Sequence, residues 1–246
     1  MIVAVIPALD EAATIGGIVA RLRRKVGVIV VDDASTDGTA DHARLAGAIH
    51  VVCHSRQRGK AAALRTGFAE ALRHGATGVV TLDGDGQHDP DDLPRLVEAA
   101  RRQPDALVVG DRLGSVEGDR VPPLRLAGLY AADWSVGRLV RRSVPDSQCG
   151  YRLYPAAMLR DLALRSEGFV FETAVLLQAA RAGRPIIWVP VRRIYLRGRR
   201  SRFRALIDGG RIAACLGREA VSQLRSRHVA FRTSPPAPAP PPILEV

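Results

Sequence analysis

Two aspartates that leave an apolar strand two positions apart can hold a hard divalent cation, and the segment VVTLDGDGQHDPDD supplies them as Asp83 and Asp85. Mg²⁺ and Mn²⁺ take oxygen ligands, and Mg²⁺ usually completes its coordination with substrate phosphates. Gly84 and Gly86 permit a turn that brings both carboxylates, together with Gln87, to one ion. The plain alternative is a solvated acidic loop capping a helix that starts near Asp92. The position directly after a buried strand favours the metal reading. An EF-hand is excluded, because its obligatory Gly and Glu positions fall on His88 and Pro94. A DxDGT-type phosphatase turn is a closer match, but Gln87 stands where that turn needs a hydroxyl.

Two further segments carry polar chemistry at element ends. VIVVDDASTDGT closes a strand with Asp32 and Asp33, followed by Ser35, Thr36 and Asp37, which suit turns and helix caps. Two adjacent carboxylates at a buried strand end repel each other unless a ligand or solvent offsets them, and a nucleoside offers hydroxyls and ring N–H groups to such acceptors. In RQRGKAAALRTGF, Gly59 and Lys60 open a helix whose N-terminus favours phosphate. It is not a Walker A loop, since Ala61 follows the lysine. Taken alone the signal is weak, and an ordinary helix start is the better reading.

The elements that must position these residues follow from apolar patterning. Val- and Ile-rich runs at 2–6, 28–31, 49–53, 78–82 and 107–110 alternate with helical spacing at 11–25, 38–47, 60–74 and 92–103. Continuous apolar strands separated by helices predict an α/β fold, a mainly parallel sheet with helices on both faces. Ligands of such sheets bind at the carboxyl ends of the strands, where Glu11, Asp32, Asp33, Asp83 and Asp85 collect. Further on, helices are expected at 124–142, 169–182 and 203–224, and a strand at 185–191. A single domain over 1–232 is expected, followed by a Pro/Ala-rich tail, 233–246, that cannot form a core.

Composition narrows the classes. The chain has 246 residues with 36 Lys+Arg against 25 Asp+Glu, a net charge of +11 that attracts anions. Aromatic residues are only 4%, too sparse for a stacking platform, so no nucleic acid is expected as partner. Three scattered cysteines argue against disulfides and structural zinc and suggest a reducing, cytoplasmic setting. No run approaches the ~20 apolar residues of a membrane span. Tyr130 and Trp134 beside Arg138, Arg141 and Arg142 suit a helix at a lipid interface, or equally a packed helix with a basic solvated face.

Taken in order, IPALDEAATI, VDDASTDGT, GKAAALRTGF, LDGDGQHDP and DSQCGYRLY resemble the family 2 glycosyltransferases of GT-A fold, closest to the dolichyl- or polyprenyl-phosphate mannosyl- and glucosyltransferases. The resemblance covers roughly residues 1–210. It implies a Rossmann-like nucleotide-diphospho-sugar transferase fold, a nucleotide-sugar donor of GDP-mannose or UDP-glucose type, inverting transfer, and Mg²⁺ or Mn²⁺ on the donor diphosphate. It implies a polyprenyl or dolichyl phosphate acceptor at the cytoplasmic face of a membrane, with the enzyme bound peripherally. By motif, Pro7, Glu11, Asp32 and Asp33 line the nucleoside pocket, and Lys60 joins the donor site. Asp83 lies near ribose and metal, and Asp85 and Gln87 bind metal and diphosphate. Arg112, Arg125 and one of Arg197 or Arg200 clamp the acceptor phosphate. Asp10 and Gly84 depart from the usual Asn and Ala without removing a ligand, and Leu129 stands where the branch often carries a hydroxyl. An alcohol acceptor would instead need a general base, for which Asp146 and Glu172 are the candidates.

Overall fold

The structure, a computed structural model, describes residues 1–114, 123–161 and 170–194, together with Gly210, Ala214 and Gly217. The elements run β1 (Ile2–Ala8), α1 (Ala12–Leu22), β2 (Gly27–Asp32), α2 (Thr39–Leu45), β3 (His50–Cys53), α3 (Lys60–Arg73), β4 (Gly78–Thr81), α4 (Leu93–Arg102) and β5 (Leu107–Asp111). Then follow α5 (Pro123–Val140), β6 (Arg152–Pro155), α6 (Ala156–Asp161), α7 (Val170–Arg181) and β7 (Ile186–Pro190). The helix expected at 203–224, the tail, Arg197 and Arg200 lie outside the described residues, apart from the three placed above.

All seven strands form one sheet in the order β3-β2-β1-β4-β6-β5-β7. Neighbours are parallel except β6, which runs against both β4 and β5. The Val/Ile runs are the reason: Val3 to Ile6 and Val28 to Val31 are fully buried, as only a sheet covered on both faces requires. α1 buries Ile15, Ile18, Val19 and Leu22, one stripe at helical spacing, and packs beside α2. Crossovers of parallel strands are right-handed, so the reversal of direction from β3 back across to β4 carries α3 to the opposite face, against β1 and β2.

This reversal sets the site. The chain walks outward from β1 to β3, then returns to place β4 on the other side of β1. Strand order reverses between β1 and β4, which opens a crevice at their carboxyl ends. β5 also points its carboxyl end there. Because β6 is antiparallel, it is its entry, residues 146–150, that reaches the same edge. The short strand β6 and helix α6 were not among the expected elements.

Candidate active site

The loops after β1 and β2 are stitched to each other. Asp10 takes a left-handed conformation (φ 46°), which Asp tolerates. Its amide donates to Ser35 Oγ at 2.9 Å, and its own Oδ1 accepts from the Thr36 amide at 3.0 Å. Glu11 is buried, and its amide donates to Thr39 Oγ1 at 2.7 Å. Asp32, at the end of β2, accepts from the amide and hydroxyl of Ser35. Thr14 Oγ1 donates to the Gly84 carbonyl at 2.6 Å, which ties this pair of loops to the Asp83–Asp85 turn. A Cβ at Gly84 would lie 3.3 Å from Pro7 O and 3.5 Å from Glu11 Cγ, so Pro7 and Glu11 border that turn, with Asp32 one strand over beside Ala8.

Asp33 has a task that its motif does not announce. Its carboxylate accepts from the amides of Arg58 (2.9 Å) and Gly59 (2.7 Å) and faces His54 Nδ1 at 2.7 Å. Gly59, with φ 87° and ψ 159°, has a backbone that side-chain-bearing residues rarely adopt. Asp33 therefore anchors the entry to α3, and so the position of Lys60.

Lys60 Nζ bridges two carboxylates, Asp83 Oδ1 and Glu172 Oε1, each at 2.7 Å. Burial works against its charge, but the two acids outweigh burial and keep it protonated. Burial likewise pushes against an ionised Asp83, and the charges of Lys60 and Arg112, Lys60 foremost, prevail and hold it below its usual range. Asp85 goes the other way: burial, then the charge of Asp83, pushes it up to about 6. Its Oδ1 accepts from the Gln87 amide at 3.0 Å. Gly150 approaches so closely that a Cβ there would sit 2.9 Å from Asp83 Oδ2.

Arg112, just past β5, forks onto Asp146 with Nε–Oδ2 at 2.7 Å and Nη2–Oδ1 at 2.9 Å, and Asp146 is fully buried. The pair holds Asp146 below the usual carboxylate range against its burial. Nη1 stays outside the fork. Both base candidates are therefore already engaged, Asp146 by Arg112 and Glu172 by Lys60. Arg125 stands in the first turn of α5.

Sequence reasoning overlooked three residues. His88 is buried, its ring 5.4 Å from that of Tyr151 and its Nε2 4.0 Å from Asp83 Oδ2. Burial lowers it to about 4, so it is neutral at pH 7. Arg152, in β6, is fully buried, and its position in the quoted DSQCGYRLY segment was the available signal. Asp133 on α5 accepts from the Ser147 amide at 2.7 Å through Oδ1, while its buried Oδ2 has no partner among the described residues.

Burial pushes Asp133 up to about 6 from an unfolded value near 3.8. The sign follows: the stabilisation from its bound proton is complete below about pH 4 and lost as pH rises through about 6. Asp133→Asn keeps an oxygen for the Ser147 amide and removes the buried charge. The variant is expected to be more stable than the parent by on the order of 2 kcal/mol at pH 8. Thermal melts across pH should show that gain shrinking to nothing near pH 4. Equal midpoints at pH 8 would show that the Asp133 charge costs the fold nothing.

Comparison with known proteins agrees with this architecture. The model described as "Glycosyl transferase family 2" matches residues 3–163. An undecaprenyl-phosphate mannosyltransferase of Micrococcus luteus is 34% identical over 203 residues, covering 77% of this chain and 82% of that protein. A polyprenol monophosphomannose synthase of Mycolicibacterium smegmatis is 32% identical, covering 76% and 75%. Among solved structures, glucosyl-3-phosphoglycerate synthase of Mycobacterium tuberculosis, in complex with Mn²⁺ and uridine diphosphate, superposes with a TM-score of 0.68. It covers 90% of this chain and 79% of its own, and at 24% identity it speaks to the fold alone.

Proposed function

The chain belongs to the family 2 glycosyltransferases, and from that premise we propose that it moves a hexose from a nucleotide sugar to a polyprenyl phosphate at a membrane surface. One observation carries the choice of acceptor. The two carboxylates that the sequence nominates as general base are each committed to a cation, Asp146 to Arg112 and Glu172 to Lys60. An alcohol must lose a proton to attack, whereas a phosphate monoester is already an anionic nucleophile at pH 7 and needs positioning. A site rich in fixed cations and poor in free base suits the phosphate.

The donor reading follows the crevice. Pro7, Glu11 and Asp32 border the nucleoside position, with Asp33 acting on it through the α3 entry. Lys60 and the α3 N-terminus face the diphosphate. The pair Asp83 and Asp85, with Gln87, fits a hard divalent cation: two carboxylates in one half-buried turn repel, and that repulsion is part of what raises Asp85. Among the described residues no group of three or more His, Cys, Asp or Glu side chains could hold an ion. A cation here would therefore draw further ligands from the donor phosphates. Bound there, Mg²⁺ or Mn²⁺ supplies Lewis-acid stabilisation of the charge on the leaving diphosphate. Arg112 through Nη1, Arg125, and Arg197 or Arg200 are the residues proposed to orient the acceptor phosphate for in-line attack on the sugar carbon.

The acceptor's lipid requires access to a bilayer, yet among the described residues no helix is long and apolar enough to cross one. α5 offers a docking face: Tyr130 and Trp134 are 56% and 69% exposed, while Asp133 and Val136 on the other side are buried. Arg138 lies over the Trp134 ring at 5.8 Å, and Arg141 and Arg142 are exposed beyond it. Aromatic rings and arginines in this arrangement suit the headgroup layer of an anionic membrane.

The test is incubation with nucleotide sugars and either polyprenyl phosphate or polyprenol, in anionic vesicles and as short water-soluble analogues, with products read by mass spectrometry. Transfer to the phosphate alone is expected. Trp134→Ala should reduce transfer in vesicles by about 10-fold and leave the soluble analogue unaffected. Glycosylated polyprenol with no product from the phosphate would overturn the acceptor assignment and return Asp146 and Glu172 to candidacy as base.

A further inference from the structure

Arg152 is a fully buried arginine at the head of β6, held from both sides by the neighbouring strands β4 and β5. Its guanidinium turns back toward the crevice and is satisfied by backbone carbonyls alone. Nε donates to Cys149 O at 2.7 Å, Nη2 to Ser147 O at 2.7 Å and Nη1 to Glu172 O at 2.8 Å. Buried charges are ordinarily paired with an opposite charge, because desolvation is otherwise uncompensated. Among the described residues no carboxylate pairs with Arg152, so its positive charge stays unneutralised beneath the crevice.

The three carbonyls belong to the two segments that carry the site's ion pairs. Ser147 and Cys149 lie between Asp146, which forks with Arg112, and Gly150, whose backbone abuts Asp83. Thr81 Oγ1 fixes the end of that loop by donating to Gly150 O at 2.8 Å. Glu172 sits in the first turn of α7 and sends its side chain to Lys60, which in turn holds Asp83. A planar fork spreads its donors over three nitrogens in fixed directions and so reaches three separate carbonyls on both segments, whereas an ammonium gathers its rotatable donors on one nitrogen.

We propose that Arg152 is a positioning residue for sugar transfer: it locks the 146–150 loop and the first turn of α7 to one another, and so sets Arg112, Lys60 and Asp83 in register. Its unneutralised charge also makes the floor of the crevice favourable to the anionic donor and acceptor. The residue touches neither substrate. This inference rests on the glycosyltransfer reading above and assigns a role within it.

Two variants separate geometry from charge. Arg152→Lys keeps the charge and loses the fork, and Arg152→Met keeps the approximate length and loses both. Circular dichroism and melts come first, and kinetics are measured well below each midpoint, on protein whose folded fraction is known. If Arg152 positions the site, kcat per folded molecule falls by about 100-fold in both variants, the scale of a misplacement of about 1 Å. The donor KM stays near that of the parent in Arg152→Lys and rises about 10-fold in Arg152→Met, where the floor loses its charge. A second readout does not use turnover: binding of uridine or guanosine diphosphate with Mn²⁺ by calorimetry should weaken in Arg152→Met and not in Arg152→Lys. If Arg152→Met does not fold, Arg152→Lys alone decides the geometric claim through kcat. A folded Arg152→Lys with parental kcat overturns the proposal. So does loss of activity in both variants merely in proportion to the unfolded fraction. If the parent protein transfers no sugar to polyprenyl phosphate, the function fails, while the diphosphate-binding comparison still tests Arg152.

Discussion

Asp85→Asn is expected to lower sugar transfer by about 10²–10³-fold while leaving the fold as stable as before, or slightly more so. The amide preserves the shape of the turn and its acceptor for the Gln87 amide, but lacks the charge a divalent cation requires. The stability sign comes from Asp85 itself, whose carboxyl is pushed up to about 6 by burial and by Asp83. Such a group favours the fold when protonated and costs stability as pH rises through about 6, so the neutral amide relieves that cost at pH 7.5. The proposed metal role requires the same carboxyl to be ionised in the parent protein, and on that reading transfer at subsaturating Mn²⁺ should fall as pH drops through about 6. The Mn²⁺-induced rise in melting temperature should fade over the same range and be absent from Asp85→Asn at every pH. Undiminished turnover of the variant at saturating metal would remove Asp85 from the metal site.

Arg112→Met should be the most disruptive single change. It leaves Asp146 fully buried without its partner, a defect that typically costs about 3–5 kcal/mol, enough to lower the midpoint by many degrees. It also removes the cation at the carboxyl end of β5, so transfer should vanish even in the residual folded protein. The double variant Arg112→Met with Asp146→Leu tells the two effects apart. Replacing both members of a buried pair with apolar groups is often close to neutral, so stability should largely return. Activity should not return, because the arginine proposed to hold the acceptor phosphate is still missing. Recovery of both stability and transfer in the double variant would mean that Arg112 serves the fold alone.

Much of the first half was legible because its physics is local. Uninterrupted Val/Ile runs separated by helical spacing have one economical solution, a parallel sheet covered on both faces, and β1 to β5 and α1 to α4 appear within a few residues of their expected limits. Carboxylates at strand ends could likewise be read from position, since the chain must leave the sheet where Asp32, Asp33, Asp83 and Asp85 stand. β6 escaped notice because Arg152–Pro155 is short and begins with an arginine, a type almost never fully buried, so no pattern of apolar residues marks it. With β6 unseen, nothing along the chain revealed that its entry loop faces Asp83.

The partners of charged groups lay equally beyond the sequence. Asp146 and Arg112 are 34 positions apart, and Lys60 at the start of α3 meets Glu172 in α7, far along the chain. As a sequence, the chain determined its fold class, its family and which residue types gather at the strand ends, because each rests on neighbours within a few positions. Tertiary structure alone decided that Asp33 anchors the α3 entry, that both base candidates are bound to cations, and that an arginine held by backbone carbonyls lies beneath them. These depend on where the antiparallel β6 inserts and on how burial and nearby charge trade against each other, and both emerge only when distant segments meet.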